Sequence, residues 1–318
     1  MSDPRPSKST EKGWERAKSG VCCPSSMAER DMSDKTVLIT GGNAGIGKLT
    51  AVGLAKRGAR VVFTSRNPRK GDVACAEIRE AAETQKVDSL VLDLSSFASI
   101  ESCAKEFLAK YPRLDVLILN AGLVLQERSE TKEGFESTFG VNHLGHFYLT
   151  ELLRERLEAS APSRVIVLAS DAHKGARDGL DFDDLMAERG YSGFLVYSRS
   201  KLANILYANE LARQLEGKGV TANSVHPGVV RTRFGLDGDT GGFSGAVYRM
   251  MRPFMIGPER GARTSIHLAV ASELEGKTGG YYAKCREAKR TSAAQDAAAA
   301  KRLWEVSEKL VAEAKASR

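Results

Sequence analysis

An α/β domain built on a parallel sheet with helices on both faces is the fold this sequence predicts. Two patterns carry that expectation. Short apolar runs of strand length alternate with longer helical stretches from Thr36 to the C-terminus, the pattern of a sheet buried on both sides. The first apolar run also leads directly into a glycine-rich turn and then a helical stretch, which is how a βαβ unit begins. A length of 318 residues suits one large domain better than two.

The elements follow in order. The first strand reads Thr36-Val-Leu-Ile-Thr40, and a helix follows over about 47–57. A second strand spans 60–64, with a helix over about 69–84 and a third strand over 89–93. Ser95 or Ser96 can cap a helix running to Lys110, because a serine hydroxyl satisfies an orphan N–H of the first turn. The fourth strand is Leu114-Asp-Val-Leu-Ile-Leu-Asn120, followed by one long helix over about 134–159. A fifth strand covers 164–170, a helix about 191–216, a sixth strand 220–225 and a short seventh 281–283. An Ala-rich helix over about 293–314 closes the chain. There are no internal repeats and no second apolar domain.

Composition narrows the function classes. Hydrophobic residues make up 42% and charged residues 27%, which fits a folded domain with a sizeable core. No apolar run approaches the roughly 18 residues of a membrane span. The formal charge is +7, and the segment from Lys284 onward holds nine basic against five acidic side chains. No aromatic-basic interleaving accompanies that tail, which argues against nucleic-acid binding. The five cysteines, Cys22, Cys23, Cys75, Cys103 and Cys285, are scattered and odd in number, as expected of reduced thiols in a cytoplasmic protein. None has partners at zinc-ligand spacing, so no metal site is expected. Residues 1–34 are polar up to the first strand and lack a signal-peptide core. They are expected to be a disordered extension, ahead of a single domain over 35–318.

The turn Thr40-Gly41-Gly42-Asn43-Ala44-Gly45-Ile46-Gly47 lies between strand and helix. Glycines there let the backbone turn tightly and approach a pyrophosphate, while the helix N-terminus offers free N–H groups to the anion. Units selective for NAD place an acidic residue at the end of the second strand to take the ribose hydroxyls. Here that strand ends Thr64-Ser65-Arg66-Asn67, without a carboxylate. Arg66 can instead pair with a 2′-phosphate, so the expected cofactor is NADP(H). Asp93 and Leu94, at the end of the third strand, are placed to face an adenine. Asn120, Ala121 and Gly122, at the end of the fourth, leave room for the ribose. A plain glycine-rich turn and a solvated Arg66 are the alternatives.

Tyr197 and Lys201 are spaced i,i+4, which stacks them on one helix face. An ammonium near a phenol favours the phenolate, giving a proton donor and acceptor for interconverting an alcohol and a carbonyl. Alone, the spacing also fits an ordinary helix face.

These residues together resemble the short-chain dehydrogenase/reductase family over nearly all of the chain from Lys35. The marks are Thr40-Gly41-x-x-x-Gly45-Ile46-Gly47, Asn120-Ala121-Gly122, Ser170, Tyr197-x-x-x-Lys201 and Pro227-Gly228. Val141-Asn142-His143-Leu144-Gly145-His146-Phe147, Tyr197 through Asn204, and Val225 through Thr232 are most similar to the retinol dehydrogenase and WW-domain oxidoreductase branch. One departure is Leu119, where the family often has a second asparagine.

The resemblance implies a doubly wound Rossmann fold of three layers with a seven-stranded parallel sheet. It implies a catalytic tetrad of Asn142, Ser170, Tyr197 and Lys201 and no metal. Ser170 would hydrogen-bond the substrate oxygen, Tyr197 would pass the proton, and Lys201 would hold the nicotinamide ribose and lower the tyrosine pKa. Asn142 would anchor a water linking Lys201 to solvent. Pro227, Gly228, Val230 and Thr232 would line the nicotinamide. A homo-oligomer is the family habit. The activity implied is NADP(H)-dependent interconversion of a hydrophobic alcohol and its aldehyde or ketone. A reductase of pigment or polyketide type, or a non-catalytic dinucleotide sensor, are the alternatives.

A substrate lid is expected over about 231–260. Glycines there would act as hinges, and Val247, Met250, Met251, Phe254, Met255 and Ile256 would give flexible apolar cover. With Arg249 and Arg252 beside it, the same segment also suits peripheral membrane contact. His143 and His146 lie i,i+3 without a third ligand, so packing or capping is their expected role. His173 and Lys174 are expected at the pocket rim or in an ordinary loop, and His226 as a packed strand-end residue. Leu303, Trp304, Val306 and Leu310 form an apolar stripe on the last helix, expected to face the core or another subunit.

Overall fold

The computed structural model describes residues 28–228 and 257–318. Seven parallel strands form the sheet: β1 (Thr36–Ile39), β2 (Arg60–Ser65), β3 (Val87–Val91), β4 (Val116–Leu119), β5 (Ser163–Leu168), β6 (Val220–His226) and β7 (Tyr281–Ala283). Their order is β3-β2-β1-β4-β5-β6-β7. The chain therefore reverses its direction of winding between β1 and β4, and a crevice opens there at the C-terminal strand ends.

An eighth, two-residue strand, β8 (Arg286–Glu287), pairs antiparallel with β7 and extends the expected seven. The hairpin turns on Lys284 and Cys285, which both take positive φ, +52° and +58°. That is a two-residue turn without the Asn-Gly or Asp-Gly that usually marks one, so the sequence carries no sign of it.

Alternating strand residues supply two cores. Val37, Ile39, Val61, Phe63, Val116 and Ile118 face one side. They meet α1 (Gly45–Ala55), α2 (Pro68–Ala82) and α6 (Pro258–Val270). Leu38, Val62, Leu117, Leu119, Val165 and Val167 face the other. They meet α3 (Phe97–Lys110), α4 (Gly145–Ala159), α5 (Gly193–Gln214) and α7 (Ala297–Ala316). Each such fully buried aliphatic side chain contributes about 1.5–3 kcal/mol relative to exposure. Ser96 caps α3 by accepting from Ser99 N, and Asn67 caps α2 by accepting from Lys70 N. The stripe on α7 faces the core: Leu303 and Trp304 are buried, and the Trp304 ring lies 5.0 Å from Phe147 and 6.0 Å from Tyr207.

The long helix expected over 134–159 is interrupted. A helical turn at Ser137–Phe139 leads into a π turn at Gly140–Leu144, and α4 begins at Gly145. Gly145 N–H reaches back five residues to Gly140 O. One inserted residue of this kind leaves the apolar pattern nearly unchanged, which is why the sequence reads as a single helix.

Residues 28–34 belong to the folded domain and not to an extension. Met32 is buried, Arg30 N donates to Val270 O, and Glu29 bridges Ala271. Cys75 and Cys103 are free, whereas Cys285 is disulfide-bonded, a departure from reduced thiols throughout; Cys22 and Cys23 lie outside the described residues. The expected lid also lies mostly outside them, and its last residues, from Pro258, open α6. No helix among the described residues is long and apolar enough to cross a membrane.

All five histidines are held below their ordinary pKa, in each case chiefly by burial. His143 is pushed down to about 3 and His146 to about 4, from an ordinary 6.5. Below pH 6.5 the unfolded chain then binds protons that the native state refuses, so stability falls as pH falls. We expect the thermal midpoint to drop steadily from pH 7 to pH 5, above the range where carboxylates titrate, and to drop less steeply in His143→Phe. A flat midpoint across that window would overturn the assignment.

Candidate active site

The glycine turn closes against the end of β2. Gly41 N donates to Thr64 Oγ1 at 3.2 Å and Gly42 N to Thr64 O at 3.1 Å. Gly41 holds φ of +66°, a region open to glycine at little cost. A Cβ on Gly47 would stand 2.5 Å from Gly41 O and 2.6 Å from Asn120 Nδ2. No side chain caps the start of α1, so its N–H groups face outward for an anion. Gly45 and Ile46 are the first residues of that helix, and Asn43 precedes it by two. The cradle fits a dinucleotide pyrophosphate.

Asn120 follows β4 and ties it to β1. Its Nδ2 donates to Thr40 O at 2.8 Å and to Gly41 O at 3.3 Å. Asn120 N and Ala121 N both donate to Thr40 Oγ1, at 2.8 and 3.0 Å. A Cβ on Gly122 would lie 3.0 Å from Asn142 Oδ1 and 3.5 Å from Lys201 Nζ. The small Asn-Ala-Gly run thus lets the cofactor edge and the catalytic edge of the site come together.

The π turn aims Asn142 at that point. Asn142 Oδ1 accepts from Leu123 N at 2.8 Å, and its Nδ2 donates to Leu123 O at 2.9 Å and to Ser200 Oγ at 3.0 Å. From α5, Lys201 Nζ donates to Leu168 O at 3.1 Å and lies 5.6 Å from the centre of the Tyr197 ring. Ser170 lies close enough to Tyr197 to favour its phenolate. Ser170 does not end a strand as expected: β5 stops at Leu168, and Ser170 caps a 3-10 turn at Asp171–Gly175 by accepting from Ala172 N. All four tetrad residues therefore converge at the C-terminal edge of β4 and β5, beside the first half of α5.

Burial sets the protonation of this pair. It pushes Lys201 down to about 8 and Tyr197 up to about 12, with Ser170 opposing the rise. Loss of solvent around the phenol is the largest influence on Tyr197. At neutral pH the site holds a protonated phenol beside an ammonium.

The other expected residues are placed as follows. Arg66 is exposed one residue past β2. Asp93 and Leu94 lie two and three residues beyond the end of β3, which stops at Val91. Asp93 Oδ1 accepts from Ser95 N and Oγ, and Leu94 is buried in the core. Pro227 and Gly228 follow β6, with Gly228 at φ of +94°. Val230 and Thr232 lie outside the described residues. His173 is buried, its Nδ1 2.7 Å from Ser170 O. Lys174 pairs with Asp171, and His226 accepts from Asp171 N.

Sequence reasoning missed Asn204 and Thr40. Asn204 Nδ2 donates to Leu168 O at 2.8 Å, sharing that carbonyl with Lys201. Its position seven residues after Tyr197 puts it on the same helix face, a signal that was available. Thr40 opens the glycine-turn motif, which does not show that its hydroxyl accepts from Asn120 N and Ala121 N.

Fold and constellation together define an oxidoreductase of the dinucleotide-binding α/β class. The short chain dehydrogenase family matches residues 35–181 and 184–237. Retinol dehydrogenase 14 from Homo sapiens is 43% identical over 294 residues, covering 88% of this chain and 87% of that protein. Retinol dehydrogenase 12 from Mus musculus is 45% identical over 273 residues, covering 86% and 85%. Among solved structures, an uncharacterised protein from Mycobacterium paratuberculosis superposes with a TM-score of 0.71 at 33% identity, covering 90% of this chain and 95% of the other. The chain belongs to the short chain dehydrogenase family, and within it is similar to the retinol dehydrogenases.

The contacts at Gly47 are with backbone and a fixed amide, which cannot yield cheaply. Gly47→Ala is expected to cost about 1–3 kcal/mol from overpacking, a fall in thermal midpoint of several degrees. Gly190→Ala, where a Cβ meets nothing within 4 Å, is expected to stay within about 0.5 kcal/mol of the parent. Equal midpoints for the two variants would contradict the close approach.

Proposed function

We propose that the protein is an NADP(H)-dependent oxidoreductase that interconverts a hydrophobic alcohol and its aldehyde or ketone. The observation that carries this reading is Lys201 on the same helix face as Tyr197, its Nζ 5.6 Å from the centre of that ring, set across Gly122 from the glycine cradle. When bound, NADP(H) supplies or takes up the hydride.

The chain's own residues do the rest. Gly41, Asn43, Gly45, Ile46 and Gly47 hold the pyrophosphate, Asp93 and Leu94 border the adenine, and Asn120, Ala121 and Gly122 border the ribose. Pro227 and Gly228, with Val230 and Thr232, line the nicotinamide side. Ser170 and Tyr197 donate hydrogen bonds to the substrate oxygen. Tyr197, protonated at neutral pH, gives its proton to that oxygen in the direction of reduction, and Lys201 stabilises the phenolate left behind. Asn142 fixes Leu123 and Ser200 around the pair and anchors a water that links Lys201 to solvent, the path by which the Tyr197 phenolate regains its proton.

Two observations support an apolar substrate. Leu123, Val124 and Leu125 follow Gly122, and Leu125 O packs so close to the start of α5 that a Cβ on Gly193 would lie 2.1 Å from it. Phe194 and Leu195 stand exposed one turn ahead of Tyr197, at 58% and 36%. The similarity to retinol dehydrogenases accords with such a wall. For the cofactor, a Pseudomonas aeruginosa protein solved as an NADP complex superposes with a TM-score of 0.63 at 25% identity. Arg66 at the end of β2 has the charge to take a 2′-phosphate.

Tyr197→Phe is expected to lower the rate of NADPH oxidation with retinal or medium-chain aldehydes by at least about a hundredfold while leaving NADPH binding intact. Retention of a tenth of the parent rate would remove Tyr197 from its role. Arg66→Asp is expected to shift the ratio of NADPH to NADH activity towards NADH by tenfold or more, about the contribution of one charge-assisted contact. An unchanged ratio would leave cofactor choice with other residues.

A further inference from the structure

We propose that His146 is a positioning residue that couples the cofactor-binding turn to the catalytic helix through one directed hydrogen-bond chain. The proposal rests on the reading above, in which Asn142 and Lys201 serve the reaction, and adds a residue to it.

Thr40 Oγ1 has two lone pairs, and both are taken by Asn120 N and Ala121 N. Its proton must then be donated. Two acceptors are near: Ile118 O at 3.5 Å and His146 Nε2 at 2.9 Å. The shorter contact wins on geometry, so Nε2 is the unprotonated nitrogen. In a neutral imidazole the other nitrogen, Nδ1, then carries the proton, and it faces Asn142 O at 3.1 Å. The chain runs in one direction: Asn120 and Ala121 N–H to Thr40, Thr40 O–H to His146, His146 N–H to Asn142.

Each link joins a different part of the site. Thr40 follows β1, Asn120 and Ala121 follow β4, and Asn142 sits in the π turn. Asn142 is thereby held at both ends, its side chain by Leu123 and Ser200 and its carbonyl by His146. A protonated imidazole would break the chain, since a second N–H would meet a Thr40 oxygen with no free lone pair. Complete burial of His146 favours the neutral ring the chain requires. His143, three residues earlier, points elsewhere: its Nε2 lies 2.8 Å from Ser307 Oγ on α7.

The test uses the full-length protein with His146→Phe, His146→Gln, Thr40→Val and the Thr40→Val/His146→Phe pair. Imidazole nitrogen NMR shifts of the wild type should show the Nδ1–H tautomer, neutral at pH 6. His146→Phe should speed amide exchange at Asn120 and Ala121, and should raise the NADPH Kd and lower kcat by about tenfold each, the size of one lost buried hydrogen bond. His146→Gln, which can accept and donate at once, should recover most of both. Thr40→Val, which also removes the acceptor of Asn120 N and Ala121 N, should cost at least as much as His146→Phe, and the double variant should be no worse than Thr40→Val, as for two parts of one chain. An Nε2–H tautomer in the wild type overturns the proposal even if the variants fail to fold. So do additive losses, or a His146→Phe protein that is less heat-stable with exchange, Kd and kcat unchanged. Wild-type protein that binds NADPH but reduces no carbonyl would instead defeat the functional reading, while the tautomer and exchange results still decide the chain.

Discussion

The structure depends on one close approach, the C-terminal ends of β1 and β4 held together by the Asn120 amide. That amide donates to two successive carbonyls, Thr40 O and Gly41 O, and leaves no room for a side chain at Gly47. Buried backbone carbonyls need partners, and at a crossover the neighbouring strand cannot supply them. An asparagine side chain replaces the missing ladder. The glycine turn, the start of α1 and the Ala121-Gly122 run all take their positions from this contact. The crevice for a dinucleotide is thus a consequence of how the sheet changes its winding direction.

The catalytic edge is organised by a second constraint, the π turn at Gly140–Leu144. Such turns recur at functional sites because they offset the backbone by one residue. Here the offset sets the Asn142 side chain against Leu123 and Ser200 and leaves its carbonyl to His146. Lys201 and Asn204 converge on Leu168 O from the neighbouring helix. Burial of this cluster makes the lysine easier to deprotonate and the tyrosine harder.

Strand positions were legible because alternating apolar residues have to face two helical layers. Val37 and Ile39 go one way and Leu38 the other, as period-two patterning demands. The glycine turn was legible because few residues other than glycine fit it. Boundaries were less so: β5 stops two residues before Ser170, and residues 28–34 join the domain because Met32 finds a place in the core. The β7–β8 hairpin turns on Lys284 and Cys285 at positive φ, a conformation their side chains do not advertise.

By itself the sequence determined the α/β class, the place of the cradle and the identity of the residues that the fold gathers beside it. These follow from local rules: side-chain periodicity, the backbone freedom of glycine, and i,i+4 spacing on a helix. Only the tertiary structure decided how those residues are charged, which carbonyls they share, and that His146 stands between Thr40 and Asn142. Desolvation and hydrogen-bond direction depend on atoms brought together from more than a hundred residues apart, and no local pattern encodes them.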